Sequence, residues 1–141
     1  MKQTLKVGAA KLDISPLPSM FPLKGGLESY ADGAYESVRK GEGLNVRAIL
    51  INNADSWFLF ESVELIEVPD PDGLHRKLYE KFGLRKEHML ITATHNHSSL
   101  FIRDKVDADR DEKEAAYTEY IHSQAVSAVE VALRNMRFAR Y

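Results

Sequence analysis

Three side chains hold most of the chemistry this sequence could perform: His95, His97 and Glu64. The two histidines close the stretch Met89-Leu90-Ile91-Thr92-Ala93-Thr94-His95-Asn96-His97-Ser98. In extended chain, side chains repeat every second residue, so the single residue between the histidines directs both imidazoles to one face. Two imidazoles so placed can offer nitrogens to one metal ion, and zinc is the ion such a pair suits best. The competing reading is a pair of loop histidines that only make hydrogen bonds, and spacing alone leaves both open. Glu64 lies near the end of an earlier strand, with Glu61 beside it. Carboxylates at such positions are commonly solvated, which is the reading for Glu61, whereas Glu64 is a candidate to line a catalytic site.

These residues need a scaffold, and the chain has the means for one. Its 141 residues suffice for a single domain with one core, and 44% hydrophobic with 28% charged residues is an ordinary globular composition. The formal net charge of -2 gives no electrostatic reason to expect nucleic acid or an anionic membrane as partner. There is no cysteine, so disulfides and thiolate metal ligands are excluded. No apolar run reaches the roughly 20 residues of a membrane helix, and Met1-Lys2-Gln3-Thr4-Leu5-Lys6 has no apolar stretch behind its charge. The expected location is the cytoplasm.

The elements follow from periodicity and punctuation. Leu5 to Ile14 reads as a first strand, closed by Ser15-Pro16 and Pro18, because proline cannot continue a central ladder. From Leu17 to about Gly43 there is no clean period, only glycines and the aromatics Phe21, Tyr30 and Tyr35, so a long functional or mobile loop is expected. Leu44–Ile51 and Trp57–Leu65 read as strands joined in a hairpin across Asn52-Asn53-Ala54-Asp55. Asp70-Pro71-Asp72 marks a helix start, Leu74, Leu78 and Phe82 form its apolar stripe, and Gly83 ends it. Helix 71–82 then leads into the histidine strand, whose Met, Leu, Ile, Thr and Ala suit burial on both faces, and strand–helix–strand makes a βαβ unit with parallel strands. In open parallel sheets ligands bind beyond the carboxyl ends of the strands, where the histidine pair is expected. His75 and His88 are expected in solvent. The mixed charges of Arg103–Glu114 read as a solvated loop and helix entry. A long helix from Glu112 to about Met136 places Ile121, Ala125, Val129, Ala132 or Leu133, and Met136 on the sheet, with His122 exposed. Arg137 to Tyr141 does not have the composition of a disordered tail. The fold class is α/β: a mixed sheet of about four strands, a βαβ unit and a long C-terminal helix packed on it.

Several of these segments match one family in order. Val7-Gly8-Ala9-Ala10-Lys11-Leu12-Asp13-Ile14-Ser15-Pro16 resembles the "VGxGxxDITP" start of the neutral/alkaline (non-lysosomal) ceramidases and their bacterial relatives. Val46-Arg47-Ala48-Ile49-Leu50-Ile51 resembles their "ARALVL" strand. Phe82-Gly83 ahead of His88 to Ser98 resembles "FG…NVLISATHTHSGP", the most specific of the three, and Asn135 to Arg140 is similar to the segment after the family's helix. The resemblance spans Val7 to Ser98 and implies that residues 1–141 form a single domain like the N-terminal part of a ceramidase. It implies a zinc-dependent amidase that cleaves a fatty-acyl amide, with His95 as zinc ligand and His97 as a second active-site histidine. Glu64 stands where the family has an aspartate. The chain departs from the pattern after Ser98, where Ser99-Leu100-Phe101 replaces the small residues of the family. The family's remaining zinc-site residues, a histidine, a glutamate and a tyrosine, come from sequence beyond this length.

Three readings follow. The chain is a zinc-dependent hydrolase of an amide or related bond, its site completed by a homo-oligomer or a partner polypeptide. Alternatively, it is a non-catalytic metal- or small-ligand-binding module, or an assembly domain in which the histidines are remnants. A sheet this small leaves apolar surface uncovered, which points to a homo-oligomer.

Overall fold

The computed structural model describes residues 5–24, 34–35, 43–100, 102 and 112–139. Strand β1 (Leu5–Asp13) opens the chain and stops just before Ile14, Ser15 and Pro16. A single 3-10 turn at Pro18–Met20 and a small ribbon of β2 (Leu23–Lys24) with β3 (Ala34–Tyr35) are what is described of the aperiodic segment. Tyr30 and most of its glycines lie outside the described residues. β4 (Asn45–Asn53) and β5 (Ser56–Val63) form the expected hairpin, in register from Val46 opposite Val63 to Asn53 opposite Ser56. Its two-residue turn holds Ala54 at φ 54°, the left-handed geometry such turns require.

Helix α1 spans Pro71–Phe82. The Asp70 side chain accepts a hydrogen bond from the Gly73 amide at 3.2 Å, and proline at the first position gives up an amide that no helical carbonyl could have used. Gly83 closes the helix at φ 68°, its amide bonded to Tyr79 O at 2.8 Å, a conformation that would strain any side chain. Leu74 and Leu78 are buried in the core. The chain then enters β6 (Met89–Ala93), parallel to β5, which completes the βαβ unit.

β7 (Arg137–Phe138) adds a fifth strand antiparallel to β1, so the main sheet has the order β6-β5-β4-β1-β7. Of the terminal residues that did not look like a tail, Arg137 and Phe138 are part of the sheet. Helix α2 (Glu112–Arg134) lies across β1 and β4 with Ile121, Ala125, Val129 and Ala132 buried, while Leu133 is exposed. The contact is close enough that a Cβ on Gly8 would collide with the carbonyl of Ala132.

Four expectations fail for one reason, and a fifth, the solvent exposure of His75 and His88, fails through local contacts. Both helices cover the same face of the sheet, so burial follows the layer a residue points into. β6 alternates instead of being buried on both faces, because Met89, Ile91 and Ala93 point to the helix-covered face and Leu90 and Thr92 to the opposite one. Glu61 is buried, since it shares the helix-covered face of β5 with Leu59 and Val63. His122 is fully buried where α2 meets the 69–77 region, and Glu114 is buried one helical turn before Tyr117 and Thr118. The charged stretch 103–111 lies outside the described residues. His75 and His88 are half-buried: His75 bonds the Pro71 carbonyl at 2.7 Å and His88 packs on Phe58. Among the described residues no helix is long and apolar enough to cross a membrane.

Candidate functional site

Strand direction gathers the candidate residues. β1, β5 and β6 run one way and β4 the other, so Asp13, Asn45, Val63 and Ala93 all end at one rim of the sheet. That rim is the carboxyl-terminal side of the parallel pair, where ligands of open α/β sheets bind.

β6 stops at Ala93, yet the chain stays tied to the segment after β5. The Thr94 amide donates to Val63 O at 2.9 Å and the Asn96 amide to Leu65 O at 3.2 Å. Between them His95 adopts φ 56°, a left-handed conformation that costs a non-glycine residue roughly 1 kcal/mol. This turn, not the pleat of a strand, brings the histidines together. Their rings meet edge to face at 83°, with centroids 4.6 Å apart. Asn96 holds the turn: its side chain accepts from the Ser98 amide at 3.0 Å and its carbonyl from the Ser99 amide at 3.1 Å. The adjacent Ser99 is buried, whereas both histidines face solvent.

The His95 tautomer follows from its partner. Nδ1 lies 3.0 Å from the carbonyl of Ile66, and a carbonyl only accepts. Nδ1 therefore carries the proton, and in the neutral ring Nε2 presents a lone pair. A ring steered by a backbone carbonyl on its other nitrogen is how metal-binding histidines are usually held. His95 and His97 thus fit zinc in kind and fall short in number, because a catalytic zinc takes three protein ligands. No group of three or more His, Asp or Glu side chains placed to hold a metal exists among the described residues.

Glu64, just past β5, turns toward β4. Its carboxylate accepts from Asn45 Nδ2 at 2.8 Å and pairs with Arg47. Partial burial would push its pKa up, but the hydrogen bonds from Asn45 and Arg47 and the charge of Arg47 outweigh that and hold it below the usual carboxylate range. Glu64 is therefore an ionised, engaged group at the rim. Sequence reasoning missed two other ionisable residues. Glu61 has neither carboxylate oxygen hydrogen-bonded, and burial pushes its pKa up to about 8. Its signal was available: it lies two residues from both Leu59 and Val63, the inward period of a strand. His122 Nε2 lies 2.8 Å from Pro69 O and Nδ1 3.2 Å from Lys77 Nζ, and Lys77 also bonds Glu119 at 2.6 Å. The one sequence signal for it is the breadth of the buried stripe of α2, in which it joins Thr118 and Ala125.

No family model and no curated protein matches this chain. Solved structures do. The chain is similar to the neutral ceramidase from Pseudomonas aeruginosa, with a TM-score of 0.73 and 18% identity over 97% of this chain and 22% of that one. It is similar also to a ceramidase complexed with C2, with a TM-score of 0.72 and 16% identity over 96% of this chain and 22% of that one. The chain spans about a fifth of the length of these structures. Over nearly all of its residues it has the fold of part of a neutral ceramidase, as the resemblance of its motifs implied.

Proposed function

We propose that this chain is a ceramidase-like, zinc-dependent hydrolase of a small amide, whose site is completed by a second copy or a partner polypeptide. The observation that carries this reading is the steering of His95: its Nδ1–H is spent on Ile66 O, so Nε2 is free beside the ring of His97. When bound, zinc would supply the Lewis acidity that lets water attack an acyl amide at neutral pH. His95 would hold the ion through Nε2, the nitrogen its bond to Ile66 O leaves available. His97, in ring contact with His95, acts as second ligand or as carrier of the proton exchanged with the substrate. Glu64 adds a fixed negative charge; held by Arg47 and Asn45, it is a weak base and contributes field more than proton transfer. The cytoplasm remains the proposed location.

The test is metal content by plasma mass spectrometry on untagged protein, with His95→Ala alongside and a fatty-acyl amide screen on the loaded protein. Near-stoichiometric zinc that disappears in His95→Ala is the expected result. No metal in either protein after zinc is added back would sink the reading. One observation favours a second reading, a non-catalytic metal- or small-ligand-binding module: two donors, without a third among the described residues, can bind an ion but not run the reaction. Zinc bound without amide hydrolysis selects it.

A further inference from the structure

We propose that the groove between α1 and the 85–89 segment binds a small aromatic phosphate ester, with the arginines on its phosphoryl group. The groove has a volume of about 410 Å³ and lies beside the start of β6, at the other end of that strand from the histidine turn. One wall is a single face of α1. His75 and Arg76 stand four and three residues before Tyr79, spacings that bring side chains together on one side of a helix. Arg85, Lys86 and Glu87 form the other wall, and half-buried Met89 lines the groove as well.

Charge sets the ligand. Arg76, Arg85 and Lys86 line the groove against one carboxylate among its described residues, Glu87. The whole chain carries a formal -2, so this surplus of positive charge is local. Asp72 registers the field. Lys86 bonds its carboxylate at 2.9 Å and holds its pKa below the usual range, and the charges of His75 and Arg76 lower it further. With Asp72 counted as the partner of Lys86, two guanidiniums still face Glu87 alone. Among the described residues neither guanidinium makes a hydrogen bond or a salt bridge. Each is a planar fork that can meet two oxygens of one phosphate. A phosphate monoester carries about -1.5 to -2 at pH 7, which matches the surplus. Tyr79 receives the rest of the ligand: its ring is 59% exposed beside these cations and offers a flat face to another ring. Size agrees, since a cavity of about 150 Å³ holds one benzene and this groove is more than twice that volume.

The groove shares no residue with the rim, so this site does not rest on the metal reading. Amide chemical shifts of the full chain, followed during titration with phenyl phosphate at low salt, test it. Saturable shifts confined to α1 and the 85–89 segment are expected, with a Kd of about 1 mM or tighter. Arg76→Gln combined with Arg85→Gln should weaken binding about tenfold, since exposed charge pairs each contribute modestly. Lys81→Gln combined with Arg134→Gln makes the same change in net charge around Glu130 and should leave the Kd unchanged. Asp72→Asn removes the carboxylate that competes for the cations and should tighten binding. Tyr79→Ala should abolish the preference for phenyl phosphate over inorganic phosphate. The absence of saturable shifts overturns the proposal, as does equal weakening by the two double variants, which would make the attraction non-specific. Binding that Asp72→Asn leaves unchanged or weakens overturns it too, and so does a preference that survives Tyr79→Ala. Vesicles containing phosphatidic acid form the last arm: binding to them without binding of phenyl phosphate would assign the groove to a lipid headgroup and overturn the soluble ligand. Zinc content should be the same in every variant, so its absence would sink the metal reading alone.

Discussion

Glu61 and Glu64 are three residues apart and meet opposite fates. Glu61 points under the helices, where Leu59 and Val63 flank it and neither oxygen finds a partner. Glu64, one residue past the strand, reaches Asn45 and Arg47 at the rim. Burial drives the first carboxyl up to about 8, while partners drive the second below its ordinary range. The same side chain is thus a liability in the covered layer and an anchor at the edge. The layer, not the residue type, sets the chemistry, and the rim is where this chain can keep charges ready for use.

The largest expected effect tests the covered side of that contrast. A carboxyl whose folded pKa is raised binds more protons folded than unfolded between its ordinary value near 4.5 and about 8, so stability falls as pH rises through that window. The loss between pH 5 and pH 8 is roughly 3 kcal/mol, because one proton released on unfolding or held on folding is worth about 1.4 kcal/mol for each tenfold change in proton activity. Glu61→Met removes the buried acid at similar volume, and at pH 7 it should raise the unfolding free energy by roughly 3 kcal/mol. Urea titrations of both proteins from pH 5 to 8 check this. A wild type with flat stability over that range would show that Glu61 has water or a partner.

His122 sharpens the comparison because it is as buried as Glu61 but partnered. Its bond to Pro69 O requires a proton on Nε2, which leaves Nδ1 to accept from Lys77. Burial lowers its pKa, the Pro69 bond partly offsets that, and the charge of Lys77 lowers it further. A depressed histidine stabilises the fold above its unfolded pKa near 6.5, and that stability is lost as pH falls below it. His122→Leu leaves the Pro69 carbonyl without its donor and should cost about 2 kcal/mol at pH 7.5, less at pH 5. An equal cost at both pH values would mean that the imidazole contributes volume only.

The parts of the fold written in local chemistry were legible. Asp70, Pro71 and Gly83 bound α1 because caps and φ preferences act within a few residues, and the 52–55 turn specified the β4–β5 hairpin in the same way. What depends on layering was not. Glu61, Glu114 and His122 are polar by type, and only the placement of both helices on one face decides that they are buried. The apolar run before the histidines suggested an interior strand, yet β6 sits at the edge because nothing pairs on its far side among the described residues. The histidine pair was legible as a pair. The turn that joins it was not, because it hangs on Ile66 O and Leu65 O, about thirty residues earlier in the chain.

The smallest expected effect belongs to Glu64. Arg47 is nearly half exposed, so water screens the pair, and exposed ion pairs contribute about 0–1 kcal/mol. Glu64→Gln keeps an acceptor for Asn45 and removes the charge, and it should lower stability by less than about 1 kcal/mol at pH 7. The sign of its pH dependence is opposite to that of Glu61: a depressed carboxyl contributes above its unfolded value and loses that contribution as pH falls through the acid range. The difference between wild type and Glu64→Gln should therefore shrink below pH 4, whereas the Glu61→Met difference should shrink below pH 5 and grow toward pH 8. If Glu64→Gln cost several kcal/mol, the rim carboxylate would be as tightly bound to the fold as a core residue. The division between a covered layer that sets stability and a rim left free for chemistry would then be wrong.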